Sequence, residues 1–289
     1  MLLLAKIGSV PVGKGHEVKV MGIINASPES FFKGSVRTGP QEIAAEALEM
    51  QEAGAHIIDI GAMSTAPYLD TITSVEEEIR RLKVAIEAVK SACGLAISVD
   101  TPRAQVASVA VKLGADAIND IAGLKYDSKM AGVAADAGVP VIAGAYSVMP
   151  ASGTVAGTVK ALRESLAIAK KAGVRDVLVD PSIGFFRAEG KNPFFTKMTD
   201  RPWYARDLEV LSSIDRLAPL GPVCVSASRK SFIGHLLNLP AAEQRLAPSI
   251  TCEIITAMSG ASLVRTHGVR ETVQALTMLQ LLSRAGKRL

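Results

Sequence analysis

The sequence predicts an α/β protein of the (β/α)8 TIM barrel type, with a single domain over residues 1–289 and a short N-terminal hairpin. Three observations predict this fold. β-like and helix-like runs alternate eight times, and the β-like runs are continuously apolar, as in parallel strands buried on both faces. The eight units span about 270 residues, a typical barrel length. No GxGxxG follows the first strand, which disfavours a doubly wound sheet.

The elements follow in a regular order. Residues 1–17 suggest a hairpin, with Gly13-Lys14-Gly15 near a turn, that covers one end of the core. The predicted strands are Lys19–Asn25, His56–Ile60, Leu95–Val99, Ala115–Ile118, Val139–Ala143, Asp176–Val179, Val223–Val225 and Ser262–Val264. The predicted helices are Gln41–Ala53, Ser74–Lys90, Pro102–Leu113, Ser128–Ala137, Val155–Ala172, Tyr204–Leu217, Ala247–Ser259 and Val269–Ala285.

Local signals support these helix boundaries. Ser74 is a plausible N-cap because Glu77 stands three residues later, as in a capping box. Pro102 lies in a first turn, where its missing N–H is harmless. A glycine recurs just before several strands, as in Ala53–Ala55 and Leu113–Ala115, and predicts the end of the preceding helix.

Composition excludes several classes of protein. The hydrophobic content of 48% is sufficient for a large core, yet no apolar run approaches the ~20 residues of a membrane helix. The net charge of +4 without a Lys/Arg run gives no support for nucleic-acid binding. The three cysteines lack metal-type spacing. We therefore expect a cytoplasmic enzyme that binds neither membrane nor nucleic acid.

The twelve aromatic residues are few, at 4%, and all follow β-like runs. The core is therefore expected to be aliphatic, with aromatic rings gathered in the loops after the strands. Those rings either fill long loops or stack on a flat aromatic ligand.

Polar residues end seven of the eight predicted strands. In such barrels the chemistry lies at the carboxyl ends of the strands. The residues there are Asn25, Asp59, Asp100, Asn119-Asp120, Ala143, Asp180, Ser226 and Arg265 with His267. Asp59 and Asp120 are either N-caps of the next helix or members of a site.

Asp100, Asn119 and Asp180 come from three strands and are expected to converge. Two carboxylates and an amide suit a neutral ligand rich in N–H donors, such as an amino-pyrimidinone. Lys230, in the run VSASRKSFIG, would contact the carbonyl edge of that ligand and keep the carboxylates ionised.

A second group suits a polyphosphate. Arg265 and His267 alternate along a strand end, so they are expected to face one side beside the amide of Asn25. Oxygen ligands there would also accept Mg²⁺. Alternatively, His267 is a buried core residue.

The ordered motifs resemble those of the dihydropteroate synthase family of pterin-binding barrels. They cover most of the chain and read MGIINASPESF (21–31), DIGAMSTAP (59–67), SVDT (98–101), AIND (117–120), DPSIGF (180–185), SRKSFIG (228–234) and RTH (265–267). The resemblance implies that the chain joins a 6-hydroxymethyl-dihydropterin diphosphate to p-aminobenzoate and releases diphosphate. It also implies a homodimer.

The resemblance assigns roles to individual residues. Asp100, Asn119, Asp180 and Lys230 would hold the pterin, with Lys230, Asp100 and Asp180 central to catalysis. The diphosphate would be bound by Asn25, Thr65, Arg265 and His267, with Mg²⁺ at Asn25. Phe31, Pro67 and Ser231, with Lys230, would shape the aryl-amine site.

Four departures from the family pattern fall on the aryl-amine side. Ala66 stands where the family usually has Arg, and Lys33 where it tends to have an acid. Ala145-Tyr146-Ser147 replaces a Met/His-rich segment. The segment Phe186–Tyr204 is longer than usual and carries four basic residues, Arg187, Lys191, Lys197 and Arg201.

Three alternatives to folate synthesis remain open at this point. In the first, the chain condenses the pterin with a bulkier aryl amine, as in methanopterin-type pathways, and uses those basic residues for a distal phosphate. A pterin-dependent methyltransferase shares the barrel and the pterin pocket but needs no diphosphate site. A pterin-binding protein without catalysis is the third.

Overall fold

The computed structural model describes residues 3–29, 34 and 36–285, and its centre is a closed barrel of eight parallel strands. An antiparallel hairpin of β1 (Leu4–Ile7) and β2 (Val10–Gly13) precedes it. The barrel strands are β3 (Lys19–Asn25), β4 (Ile57–Gly61), β5 (Ala96–Asp100), β6 (Ala117–Asp120), β7 (Val141–Gly144), β8 (Val177–Asp180), β11 (Val223–Val225) and β12 (Ala261–Thr266). Their order around the barrel follows the chain, and β8 pairs with β11.

Helices follow the strands, as predicted. They are α1 (Pro40–Glu52), α2 (Val75–Ala92), α3 (Ala104–Lys112), α4 (Met130–Ala137), α5 (Val155–Ala172), α6 (Trp203–Leu211), α7 (Ser231–Leu237), α8 (Leu246–Met258) and α9 (Val269–Ala285). The predicted (β/α)8 barrel is therefore confirmed. The predicted cap of α2 is also present, because the Ser74 side chain accepts the N–H of Glu77.

The structure corrects some boundaries and adds elements. The helix predicted to reach Leu217 ends at Leu211, since Ser212 bonds back to the Glu209 carbonyl and two short 3₁₀ turns follow. Helix α7 was not predicted. The long segment after β8 contains two short paired strands, β9 (Phe186–Arg187) and β10 (Thr196–Lys197).

The N-terminal hairpin closes one end of the barrel. Ala5, Ile7 and Val12 pack against the first residues of the barrel strands, including Met21 and Ile57. The predicted cover is confirmed. The two strands are joined by a turn at residues 8–9, and the turn predicted near Gly13–Gly15 follows β2, where the His16 N–H donates to the Gly13 carbonyl. The opposite end, where the strands terminate, remains open for ligands.

The core is largely aliphatic, as expected, and the loop aromatics divide into two groups. Phe186, Phe194 and Phe232 are fully buried and serve as packing residues. Tyr68 and Phe185 instead line a cavity at the carboxyl ends of the strands. In the described part of the chain no helix is long and apolar enough to span a membrane.

Candidate active site

Two cavities meet at the carboxyl ends of the barrel strands. The first, here called the acidic cavity, is lined by Asp100, Asn119, Ile121, Asp180, Ile183, Phe185, Ser226, Lys230 and Arg265. The second, the loop cavity, is lined by Asn25, Gly61, residues 63–68, Asp100, Gly184, Phe185, Lys230, Ser231 and Arg265. Because they share Asp100, Phe185, Lys230 and Arg265, one ligand can extend from one cavity into the other.

Strand register explains why distant residues of the sequence converge here. Asn25, Gly61, Asp100 and Asn119 are successive partners across four neighbouring strands, so they form one row at the mouth of the barrel. Gly61 has no side chain, and a Cβ there would lie 3.5 Å from Asn25 Oδ1. The row therefore contains a gap between Asn25 and Asp100 that opens into the loop cavity.

The predicted site residues distribute over the two cavities in an ordered way. The four residues assigned to the pterin line the acidic cavity. Four assigned to the diphosphate or the amine, Asn25, Thr65, Pro67 and Ser231, line the loop cavity. Phe31, like Lys33, lies outside the described residues.

His267 stands apart from the other predicted residues, beside the cavities rather than in their linings. Its backbone N–H donates to Ser228 Oγ, and its Nδ1 lies 3.1 Å from the same oxygen. Burial and the nearby charges of Arg265, Arg229 and Lys230 lower the pKa of His267 well below its usual range. At neutral pH the imidazole is therefore uncharged.

Arg265 lies at the centre of a buried charge group. Its Nε donates to Asp59 Oδ2 at 2.5 Å and its Nη2 to Asp100 Oδ2 at 2.7 Å. Asp59 also accepts a hydrogen bond from Asn119 Nδ2 at 3.0 Å. Arg265 thus positions two of the predicted pterin residues, Asp100 directly and Asn119 through Asp59.

Asp59 is the residue of this group whose role the sequence did not decide. It was either an N-cap of the next helix or a member of a site. It is not a cap, because it lies inside β4, is 0% exposed and pairs with Arg265. Asp120 is a turn residue that lines neither cavity. Its carboxylate accepts the N–H groups of Ala122 and Leu124. The sequence did contain a signal for the role of Asp59. A carboxylate inside an apolar run requires a partner, because a buried charge is costly without one.

Burial raises the pKa of both carboxylates of the acidic cavity. Burial, with the charge of Asp59, raises the pKa of Asp100 to about 7, against the opposing effect of Arg265 and Lys230. Burial also raises the pKa of Asp180. Asp100 Oδ1 is buried and has no hydrogen-bond partner among the described residues. It is a free acceptor at the wall of the cavity.

Lys230 lies opposite these carboxylates. Its Nζ is 4.6 Å from the centre of the Phe185 ring, a cation–π arrangement. Burial and the charge of Arg265 lower its pKa to about 8, although the Asp180, Asp207 and Asp100 carboxylates oppose the shift. A lysine poised in this way can donate to a ligand in either cavity.

The turn after β8 is held by two buried residues of α6. Arg206 donates to the carbonyls of Pro181 and Ser182, and Asp207 accepts the N–H of Gly184. Ser182 adopts a positive φ of 54°, and its N–H donates to Asp180 Oδ1 at 2.6 Å. The contacts fix Asp180 in the acidic cavity and Phe185 at the junction of the two cavities.

The long segment after β8 packs on the loop that carries Ala66. Asn192 Nδ2 donates to the Ala66 carbonyl at 2.8 Å, and the Lys191 N–H donates to the Pro67 carbonyl at 2.7 Å. Ala66 is 9% exposed beneath this contact. The long segment and the loop that carries Ala66 are therefore joined through backbone carbonyls.

The basic residues of the long segment differ in their surroundings. Arg201 pairs with Glu209, while Lys191 and Lys197 are exposed. Arg187 lies against Ser231 of the loop cavity, with its Nη2 donating to Ser231 Oγ at 2.8 Å. Of the four, Arg187 comes closest to the site.

The described residues contain no group of three His, Cys, Asp or Glu side chains suited to a metal ion. Six side chains that line the loop cavity carry oxygen atoms, those of Asn25, Ser64, Thr65, Tyr68, Asp100 and Ser231.

Comparisons with known proteins agree with this geometry. A family model described as "Pterin binding enzyme" matches residues 21–267. The chain is 36% identical to the dihydropteroate synthase of Clostridium beijerinckii, over 96% of this chain and 99% of that protein. The chain belongs to the dihydropteroate synthase family.

Solved structures of the family superpose on the whole chain. The Xanthomonas albilineans dihydropteroate synthase with 4-aminobenzoic acid is 30% identical, with a TM-score of 0.81 over 98% of this chain and 99% of that one. The same enzyme in complex with 7,8-dihydropteroate gives 0.77 over 97% and 98%, also at 30% identity. The resemblance inferred from the seven motifs is therefore confirmed.

The charge group leads to a prediction for Asp59→Asn. Removing this negative charge should lower the pKa of Asp100 below about 7, because Asp59 raises it and Arg265 loses a competing partner. Loss of one buried ion-pair partner should also lower the free energy of unfolding by about 3 kcal/mol. A carboxyl NMR titration and urea denaturation measure the two effects. Asp136→Asn, on the exposed surface, is the control, and an unchanged Asp100 titration in Asp59→Asn would contradict the assignment.

Proposed function

We propose that this protein is a dihydropteroate synthase that condenses 6-hydroxymethyl-7,8-dihydropterin diphosphate with p-aminobenzoate and releases diphosphate. The observation that carries the proposal is the junction of the two cavities at Asp100, Lys230 and Arg265. A bicyclic ring fits the polar lining of the acidic cavity, and its reactive methylene would then lie at the junction.

The acidic cavity supplies the acceptors that a pterin requires. The amino-pyrimidinone edge presents several N–H donors. The acceptors for them come from the ends of β5, β6 and β8: Asp100 Oδ1, the side-chain oxygen of Asn119 and the Asp180 carboxylate. Lys230 faces the carbonyl side of such a ring. Both carboxylates are costly to bury as anions, so a ligand that donates to them regains the lost hydration.

The reaction needs positioning and charge stabilisation rather than a nucleophilic side chain. The bond between the pterin methylene and the diphosphate oxygen breaks, the amine nitrogen forms a bond to that carbon, and the amine loses one proton. Arg265 and Lys230 offer positive charge at the junction, where the departing diphosphate gathers negative charge. Neutral His267 can donate a hydrogen bond beside them.

Magnesium is proposed as the cofactor, held by Asn25. A single amide oxygen at the edge of the loop cavity fits an ion that keeps several waters and is bound mainly through substrate phosphates. Bound there, the ion would neutralise charge on the diphosphate. The Asn25 amide would orient it from the end of β3.

Diphosphate release tests the function. The purified protein, mixed with the pterin diphosphate, Mg²⁺ and p-aminobenzoate, should release diphosphate and form dihydropteroate at equal rates. Asp180→Asn and Lys230→Ala should abolish turnover and pterin binding, as measured by calorimetry, while circular dichroism stays unchanged. Pterin binding without amine-dependent diphosphate release would instead indicate a binding protein or a methyltransferase.

A second prediction separates the ring from the leaving group. Arg265→Ala and His267→Ala should weaken binding of the pterin diphosphate at least tenfold more than binding of the free alcohol. A charge-assisted contact to phosphate contributes about 1.5–3 kcal/mol, and 1.4 kcal/mol is a factor of ten. Calorimetry with both ligands gives the ratio. Equal losses for the two ligands would mean that the two residues only support the barrel.

We also propose a homodimer in the cytoplasm. Helices α8 and α9 expose Ile255 (50%), Met258 (70%), Met278 (55%), Leu281 (54%) and Leu282 (64%), a patch that a second copy of the chain would cover. The free cysteines suit a reducing compartment. Light scattering should give twice the chain mass, and Leu281→Glu with Leu282→Glu should halve it. A monomeric wild type contradicts this arrangement.

A further inference from the structure

Arg187 lies against residues that line the loop cavity, and it has no ionic partner among the described residues. Its Nε donates to the Gly184 carbonyl at 3.1 Å and its Nη2 to Ser231 Oγ. Among the described residues no carboxylate lies within salt-bridge distance of its guanidinium, and Nη1 has no hydrogen bond. A charge in this situation can still accept an anionic ligand.

Packing fixes the direction of this guanidinium. Its Cζ lies 3.6 Å from the centre of the Trp203 ring and 5.9 Å from that of Tyr68. Tyr68 and Ser231 line the loop cavity, and so does Gly184, whose carbonyl Arg187 also contacts. Three of the four groups around the guanidinium therefore belong to residues that line the same cavity, and the fourth is the Trp203 ring.

Burial makes this arrangement costly unless an anion compensates it. Burial is the main reason why the pKa of Arg187 is lowered, and the nearest carboxylate to oppose the shift, Asp207, is itself bonded to Arg206. Arginine stays charged under such conditions. An apolar side chain would fill the space against Trp203 without that cost, so packing alone does not account for an arginine.

The structure assigns Arg187 as the residue that binds the carboxylate of the aryl amine and sets the preference of this enzyme for an anionic amine. The assignment rests on the proposed synthase function. Arg187 belongs to the segment that packs on the loop of Ala66, and it contacts Ser231, which lines the same cavity as Ala66. It is therefore placed to bind an anionic group of a ligand in that cavity.

The test compares two amines that differ only in charge. The ratio of kcat/KM for p-aminobenzoate to that for p-aminobenzamide is measured in wild type, Arg187→Gln, Arg187→Lys and Lys197→Gln. Lys197, an exposed cation of the same segment, is the matched control. Arg187→Gln should lower the ratio at least about tenfold with the KM for the pterin diphosphate unchanged. Arg187→Lys should restore part of it, and Lys197→Gln should leave it as in wild type.

The outcomes separate this inference from the proposed function. If wild type releases no diphosphate with any amine, the synthase proposal fails, and the Arg187 assignment fails with it. If wild type is active and Arg187→Gln keeps the wild-type ratio, the function stands and only the assignment is wrong.

Two further arms cover the remaining results. If Arg187→Gln does not fold, Arg187→Lys takes its place. Its ratio of kcat/KM for the two amines must then fall between one and the wild-type value. A ratio equal to that of wild type overturns the assignment. An aniline with a phosphate on a longer side chain is tested in parallel. If Arg187→Gln lowers kcat/KM only for this amine, Arg187 binds a phosphate, and the carboxylate assignment is wrong.

Discussion

The ion group of Asp59, Arg265 and Asp100 is the interaction on which the geometry of the site depends. Arg265 comes from β12, and its two partners come from β4 and β5, so the guanidinium links strands that are not neighbours in the barrel. Removing these charges from water costs several kcal/mol for each ion. An apolar group of similar volume would stabilise the barrel equally well or better. The ion group is therefore better explained by the site than by stability.

The charge balance of that group gives the site its ligand preference. Burial raises the pKa of Asp100 to about 7, and the charge of Asp59, with which Asp100 shares Arg265, adds to the shift. One of its oxygens remains an unused acceptor. A ligand in the acidic cavity that donates N–H groups would supply the hydrogen bond that this oxygen lacks. On the other side, Arg265 borders the loop cavity together with Lys230, where a departing anion is stabilised. The same guanidinium thus orders the acceptors for the ring and the positive charge for the leaving group.

The sequence predicted the barrel, the order of its elements and the row of polar strand ends, because apolar periodicity and strand termini are local properties of the chain. It failed where a long-range contact decided the outcome. Asp59 appeared equally suited to capping a helix, since its partner Arg265 lies 206 positions later. The roles of Asp120 and Ser182 depend on turns that sequence spacing alone does not specify. Arg187 was one of four basic residues in a long segment, and only its contact with Ser231 distinguished it.

Hydrogen bonds tie the segment after β8 to the loop that carries Ala66. The amide of Asn192 bonds three carbonyls of that loop, those of Thr65, Ala66 and Leu69. The segment that carries Arg187 is therefore fixed against a loop that lines the same cavity. Because Arg187 is braced by Trp203 and Ser231 on ordered elements, it loses less conformational entropy on binding an anion than a side chain on a mobile loop would. These contacts therefore hold the positive charge of Arg187 at a fixed position beside the loop cavity.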